Sequence, residues 1–291
     1  MTKTESAIIK TLSYGDIFDY PLQLNEIHRF LISDLAVSRL EVESTLSKMT
    51  AETRLCERAG NYYCLSGRRS VVDQRVSCVG PSARKMEIAK TIVEKLKFIP
   101  WILFVGVTGR LAVENSDEDD DIDLMIITGR KRLWLSRVFV VLFLLAIARY
   151  RRPKKIKDMI CPNLFLTTES LSWPERNLYT AHEIAQVKPL WERCEIHKRF
   201  IAANAWAGDF LPNAFPKNEE AGESPKAEKP VGRNPIKFLD VLEIIAFRFQ
   251  LLRMKPKMTT EAVSPNIARF HPHNVCPSVL SEYIKRLDKF T

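Results

Sequence analysis

The residues of this chain best equipped for chemistry fall in one stretch, FVGVTGRLAVENSDEDDDIDLMII, residues 104–127. Asp121 and Asp123 stand two apart at the entry to an apolar run. On a strand such residues project from one face, so both carboxylates can reach the same cation. Magnesium takes hard oxygen ligands from one or two carboxylates and from substrate phosphates. Just upstream, an apolar run ends in Gly106-Val107-Thr108-Gly109, where glycines let backbone amides approach a phosphate. A carboxylate-held metal beside a phosphate cradle is equipment for phosphoryl or nucleotidyl transfer. Arg110 follows; its fork of donors suits a triphosphate, and equally a plain surface position. Read alone, 117–121 is a solvated acidic loop. Asp123, however, sits between Ile122 and Leu124, where an unpaired carboxylate is costly. His182-Glu183 reads as an exposed helix dipeptide and His271-Pro272-His273 as a loop, neither with complete metal-ligand company.

These residues resemble a known family. Polymerase-β-type nucleotidyltransferases carry a Gly-Ser turn and, after a short helix, Asp-x-Asp at a strand start. Gly109, Asp121 and Asp123 fall at the spacing of the minimal members, with Arg110 where the family has serine. The run from Thr108 through Leu111-Ala112 and Asn115 to Asp120-Asp121-Ile122-Asp123-Leu124 is similar to a bacterial group of nucleotidyltransferase-domain proteins. Members of that group often have an N-terminal winged-helix-like module and a tail resembling Asn177-Leu178-Tyr179-Thr180-Ala181-His182-Glu183. The wider similarity covers residues 5–215. It implies an α+β fold with a polymerase-β-like nucleotidyltransferase core and a helical C-terminal region. It further implies a Mg2+-dependent enzyme that moves a nucleotidyl group from a nucleoside triphosphate to a protein side chain, an RNA end or a small molecule. Asp121 and Asp123 would hold the metal, and Thr108, Gly109 and Arg110 the nucleotide. A third carboxylate belongs on a later strand, and Asp158 is the nearest candidate. The rival expectation is a DNA-binding or nucleotide-sensing regulator on the same fold, without turnover. Arg110 and the missing clear third acid favour it.

The elements that must position these residues follow from periodicity. Residues 1–70 read as a winged-helix-like module, with a first helix carrying Ala7, Ile8 and Leu12 and a turn at Pro21. Its second helix carries Leu24, Ile27, Phe30 and Leu31. A capping box, Ser38 with Glu41, opens a third helix bearing Leu40, Val42, Leu46 and Met49, and a hairpin turns at Gly60-Asn61. Residues 71–97 form a basic helical connector. The nucleotidyltransferase-like domain spans 98–215: strands at 102–107, 122–128 and 159–166, a long apolar helix at 133–150, and helices at 177–187 and 192–210. Residues 216–235, rich in Pro, Gly, Glu and Lys, read as a linker, and 236–291 as a helical tail.

Charge and thiol usage bound the setting. Lys and Arg outnumber Asp and Glu 44 to 35 in 291 residues, a formal charge of +9 that favours anionic partners such as nucleic acid or nucleotide phosphates. The cations cluster at Arg68-Arg69, Arg84-Lys85 and 149–157, whereas Arg39 and Lys48 are offset by Glu41 and Glu43. Six cysteines without a CxxC pair suit reduced thiols in the cytoplasm. The apolar stretch 138–148 falls short of the ~20 residues of a membrane span. An interior helix is expected instead, with Arg137 and Arg149 reaching the surface at its ends.

Overall fold

The computed structural model of the chain describes residues 1–53, 55–216, 237–258, 262–270 and 275–290. Beyond its first residue, the linker expected at 216–235 lies outside these, as does His271-Pro272-His273.

The N-terminal part is built from α1 (Lys3–Asp16), β1 (Leu22–Gln23), α2 (Leu24–Arg29), α3 (Arg39–Lys48), β2 (Cys56–Ala59) and β3 (Tyr62–Leu65). The three strands pair antiparallel in the order β1-β3-β2, with Gly60 taking φ +60° in the hairpin turn. A full capping box starts α1: Thr2 Oγ1 accepts from the Glu5 amide, and the Glu5 carboxylate accepts from the Thr2 amide. The box expected at α3 is half formed. Ser38 accepts from the Glu41 amide, but the Glu41 carboxylate accepts from Thr4 Oγ1 at 2.5 Å and so ties α3 to α1. Val42, Leu46 and Met49 are buried as expected, while Leu40 stands 79% exposed.

Two consecutive helices, α4 (Ser70–Ser77) and α5 (Val79–Leu96), lead into the central part. There follow β4 (Ile102–Val107), α6 (Gly109–Ala112), β5 (Ile122–Thr128), α7 (Leu133–Ala146), β6 (Ile160–Thr167), α8 (Leu178–Gln186), β7 (Lys188–Glu192) and α9 (Ile196–Ala203). The C-terminal part supplies α10 (Lys237–Met254), β8 (Ala262–Val263), β9 (Ile267–Arg269) and α11 (Cys276–Leu287). A six-stranded sheet runs β7-β4-β5-β6-β9-β8; β5 and β6 are parallel and the other neighbours antiparallel. The protein thus mixes helix with open sheet, in keeping with an α+β class.

Both faces of this sheet are covered, which explains its unbroken apolar strands. Met125, Ile127, Leu164 and Leu166 face one core, shared with the N-terminal helices, α8 and α9. Ile122, Leu124, Ile126 and Phe165 face the other, shared with α5 and α7. The N-terminal part thus shares one continuous core with the Met125 side of the sheet, joined to it through α8 and α11.

Three expectations need correction. The helix expected at 192–210 is preceded by strand β7, an edge strand and so tolerant of Pro189. The C-terminal region is not purely helical: β9 extends the sheet beside β6, and α11 returns to α1 through an Arg286–Asp16 ion pair of 2.8 Å. The long apolar helix ends at Ala146 and is not interior all round. Leu133, Trp134, Val140 and Leu144 are buried, whereas Phe139, Leu142 and Leu145 form an exposed stripe. Its first turn is capped by Glu243 of α10, which accepts from the amides of Trp134 and Leu135 at 2.7 and 2.9 Å. Arg137 does not reach outward; it lies 4.5 Å from the Phe270 ring and donates to Gln250. Arg149 donates to the Asp158 carbonyl at 3.2 Å. Among the described residues, no helix is long and apolar enough to cross a membrane.

Candidate functional site

The parallel pair β5–β6 sets up the site. Asp121 immediately precedes β5 and Asp123 is its second residue, so the two carboxylates leave the strand on one side. Asp123 is in register with Cys161 on β6. One ligand atom from each of Asp121, Asp123 and Cys161 lies within 4.8 Å of the others. Asn163, also on β6, donates from Nδ2 to Asp123 Oδ1 at 2.6 Å, and Arg151 Nε stands 3.1 Å from Asp121 Oδ2. Burial and the neighbouring Asp121 charge push the Asp123 carboxyl up to about 7, and Glu183 adds to the effect against the opposing pull of Cys161 and Arg151. Burial also raises Asp121, opposed by Arg151. The Cys161 thiol, raised by burial and by both acids, hydrogen-bonds Asp123.

The glycine turn closes over this pair. Gly109 has φ +64°, and a Cβ there would sit 3.0 Å from Asp123 Oδ2, so both the backbone conformation and the space demand glycine. The Thr108 amide donates to the Asp123 carbonyl at 3.1 Å. Thr108, Gly109, Asp121 and Asp123 are thereby brought together, as the sequence spacing suggests. Arg110 is half exposed and turned to the acidic loop, pairing with Asp117 at 2.8 Å and Asp120 at 3.1 Å.

Asp158 is not brought into the cluster. Its amide donates to the Asp120 carbonyl, and its carboxylate faces Arg84 at 3.1 Å and Lys85 at 3.5 Å. The strand that does lie beside the pair, β6, reads ICPNLFLT and carries Cys161 and Asn163 but no acid.

Part of the basic charge is paired with the protein's own acids or carbonyls. Lys85 is fully buried and donates to the carbonyls of Asp117 and Glu118 at 2.5 and 3.0 Å. Arg84 and Lys157 pair with Glu118 at 3.0 and 2.6 Å, and Lys188 pairs with Glu114 at 2.8 Å. Arg68 is held 2.6 Å from Asp16 and also pairs with Asp19. The loop 114–121 is therefore not a freely solvated charge run; it is ordered by surrounding cations.

His182-Glu183 is not an exposed dipeptide either. His182 is 3% exposed and its ring stacks on Tyr14 with centroids 4.0 Å apart. Burial holds its imidazole down to about 3 and pushes the Glu183 carboxyl up to about 7. The missed signal is the helical spacing of Leu178, Ala181, His182 and Ala185, which puts His182 on the buried face of α8. Compared with known proteins, the chain matches no family model, no curated protein and no solved structure.

Proposed function

We propose that this protein is a nucleotidyltransferase that uses Mg2+ to move a nucleotidyl group from a nucleoside triphosphate to an acceptor, on a polymerase-β-like core. The single observation that carries this reading is the convergence of Asp121 and Asp123 beside Gly109, whose missing Cβ leaves room against Asp123 Oδ2. The donor set fits a hard divalent ion: two carboxylates, and beside them Asn163, whose Oδ1 is buried without a partner among the described residues. Asp121 and Asp123 would hold the ion, which supplies charge neutralisation and alignment for the transferring phosphorus. Cys161 is a soft donor and serves better as a hydrogen-bond donor to Asp123 than as a magnesium ligand. The amides of the Thr108–Gly109 turn would orient the triphosphate, and Arg110, released from Asp117 and Asp120, would reach its outer phosphates. A protein side chain, an RNA end or a small molecule is the acceptor in this proposal, in a cytoplasmic setting that six cysteines without a CxxC pair suit.

A second reading has its own support. The resemblance implies a third acid on a strand beside the pair, and β6 presents Cys161 and Asn163 there. A nucleotide-sensing regulator, with the N-terminal part acting as a winged-helix-like partner module, would bind triphosphate without turning it over. Incubation of the full chain with each of four α-labelled triphosphates, Mg2+ and cell extract separates the two. Label transfer that disappears in Asp123→Asn supports the enzyme. Triphosphate binding without transfer supports the sensor, and absence of both overturns the nucleotide reading.

A further inference from the structure

Behind the Gly109 turn lies a cavity of about 140 Å³ between the N-terminal helices, α6 and α8. A single water needs roughly 10–15 Å³, so the space admits a molecule of several heavy atoms. Its wall is aromatic: Tyr14, Phe18, Tyr20, Phe30 and Tyr179 all line it. Among the polar side chains on that wall, beside Thr11, Arg110, Asn115 and Gln186, are His182 and Glu183. His182 is 3% exposed and neither ring nitrogen has a hydrogen-bond partner among the described residues. Glu183, partly buried, likewise forms no hydrogen bond or ion pair there, and its charged neighbour Asp123 is another acid.

That combination is expensive without an occupant. A buried imidazole with two idle nitrogens, beside a partly buried carboxyl with no counter-charge, carries an unrecovered desolvation cost. Arg110, which also lines the wall, is already paired to Asp117 and Asp120. An anion would be repelled by Glu183, and a purely apolar guest would leave both polar groups unsatisfied. A cation meets every feature at once: aromatic faces attract it through their quadrupoles, Glu183 supplies the counter-charge, and the neutral imidazole accepts a further hydrogen bond.

We propose that this cavity is a binding site for a small organic cation, an ammonium group carried on an apolar body. The inference stands on the cavity alone and does not require nucleotidyl transfer. Should that transfer occur, a guest here lies behind the same Gly109–Arg110 turn, and its occupancy would bear on the position of that turn.

Calorimetric titration of the full chain with benzylamine, benzyl alcohol and benzoate at pH 7.5 tests this, because the three share one ring and differ in charge. Benzylamine is expected to bind at least about tenfold more tightly than benzyl alcohol, the scale of one charged hydrogen bond, and benzoate not at all. Glu183→Gln, which keeps the side-chain shape, should weaken benzylamine about tenfold or more while changing benzyl alcohol by less than about twofold. Equal affinity for amine and alcohol, indifference of benzylamine to Glu183→Gln, or no benzylamine binding up to about 10 mM would each overturn the proposal. No triphosphate is present, so these outcomes are independent of the transfer assay.

Discussion

Asn163 holds Asp123 from the neighbouring strand, its side-chain amide donating to the carboxylate at 2.6 Å. The contact places a neutral donor beside two acids that already disfavour each other's ionisation. Asn163→Asp therefore removes a hydrogen-bond donor and adds a third like charge. In metal-free buffer it should destabilise the fold by roughly 1–3 kcal/mol. Added Mg2+ should recover most of that loss, and by a larger margin than in the unmodified protein. Thermal melts with EDTA and with Mg2+ give the comparison; a variant equally unstable in both conditions argues against a cation site here.

Gly109 offers a steric test of the same spot. Its φ of +64° disfavours any side chain, and a Cβ would press on Asp123 Oδ2 at 3.0 Å. Gly109→Ala should lose on the order of 1–2 kcal/mol of stability from conformation alone. It should also lower triphosphate binding more than an equally destabilising change remote from the turn. Urea unfolding paired with triphosphate titration measures both. Unaltered binding would remove Gly109 from the phosphate cradle.

The central strands were legible because burial on both faces makes 102–107 and 122–128 continuous apolar runs, and because Asp121 and Asp123 interrupt the second run at its start. The family resemblance then implied that Gly109 lies beside them. The short strands were not legible: β8 and β9 span two and three residues, too few for alternation to register, and their pairing with β6 is a long-range event. The role of His182-Glu183 was hidden for a related reason. A polar pair on a helix is ordinarily solvent-facing, and it is long-range packing, with Tyr14 and Phe30 against the imidazole, that buries His182. The ion pairs that consume Arg84, Lys85 and Lys157 join segments far apart in sequence, so charge runs that look free in the linear chain are not.

Glu183 should leave a signature in the pH dependence of stability. Folding lifts its carboxyl from an ordinary 4.5 to about 7, so the folded protein keeps a proton that the unfolded chain releases. Below 4.5 both states are protonated and the group contributes nothing. As pH rises from 4.5 to 7 the unfolded state gains a hydrated charge that the folded state resists, and stability falls; above 7 the loss is complete. Glu183→Gln should thus be nearly neutral at pH 4 and stabilising at pH 8 by on the order of 2 kcal/mol. Urea denaturation at the two pH values checks the sign. Greater stabilisation at pH 4 than at pH 8 would contradict an enclosed, unpaired carboxyl.

The last expectation concerns nucleic acid. The sequence directs non-specific DNA affinity to 68–97 and 149–157, but the structure commits much of that charge internally. Lys85 is buried against two carbonyls, Arg84 and Lys157 face Glu118, Arg68 faces Asp16 and Asp19, and Arg151 faces Asp121. A cation held by a protein carboxylate releases few counterions when DNA approaches, because it must first give up its partner. The salt slope of DNA binding by the full chain should accordingly be shallow, below what six phosphate contacts produce, about −5 in log–log form. Glu118→Gln releases Lys157 and leaves Arg84 with Asp158 alone, and Asp16→Asn leaves Arg68 with Asp19 alone, so together they should steepen it. Fluorescence anisotropy of a labelled duplex across a salt series reads both slopes. A steep slope in the unmodified protein, unchanged by the double substitution, would mean that a different set of cations contacts the phosphates and would restore DNA as a serious partner.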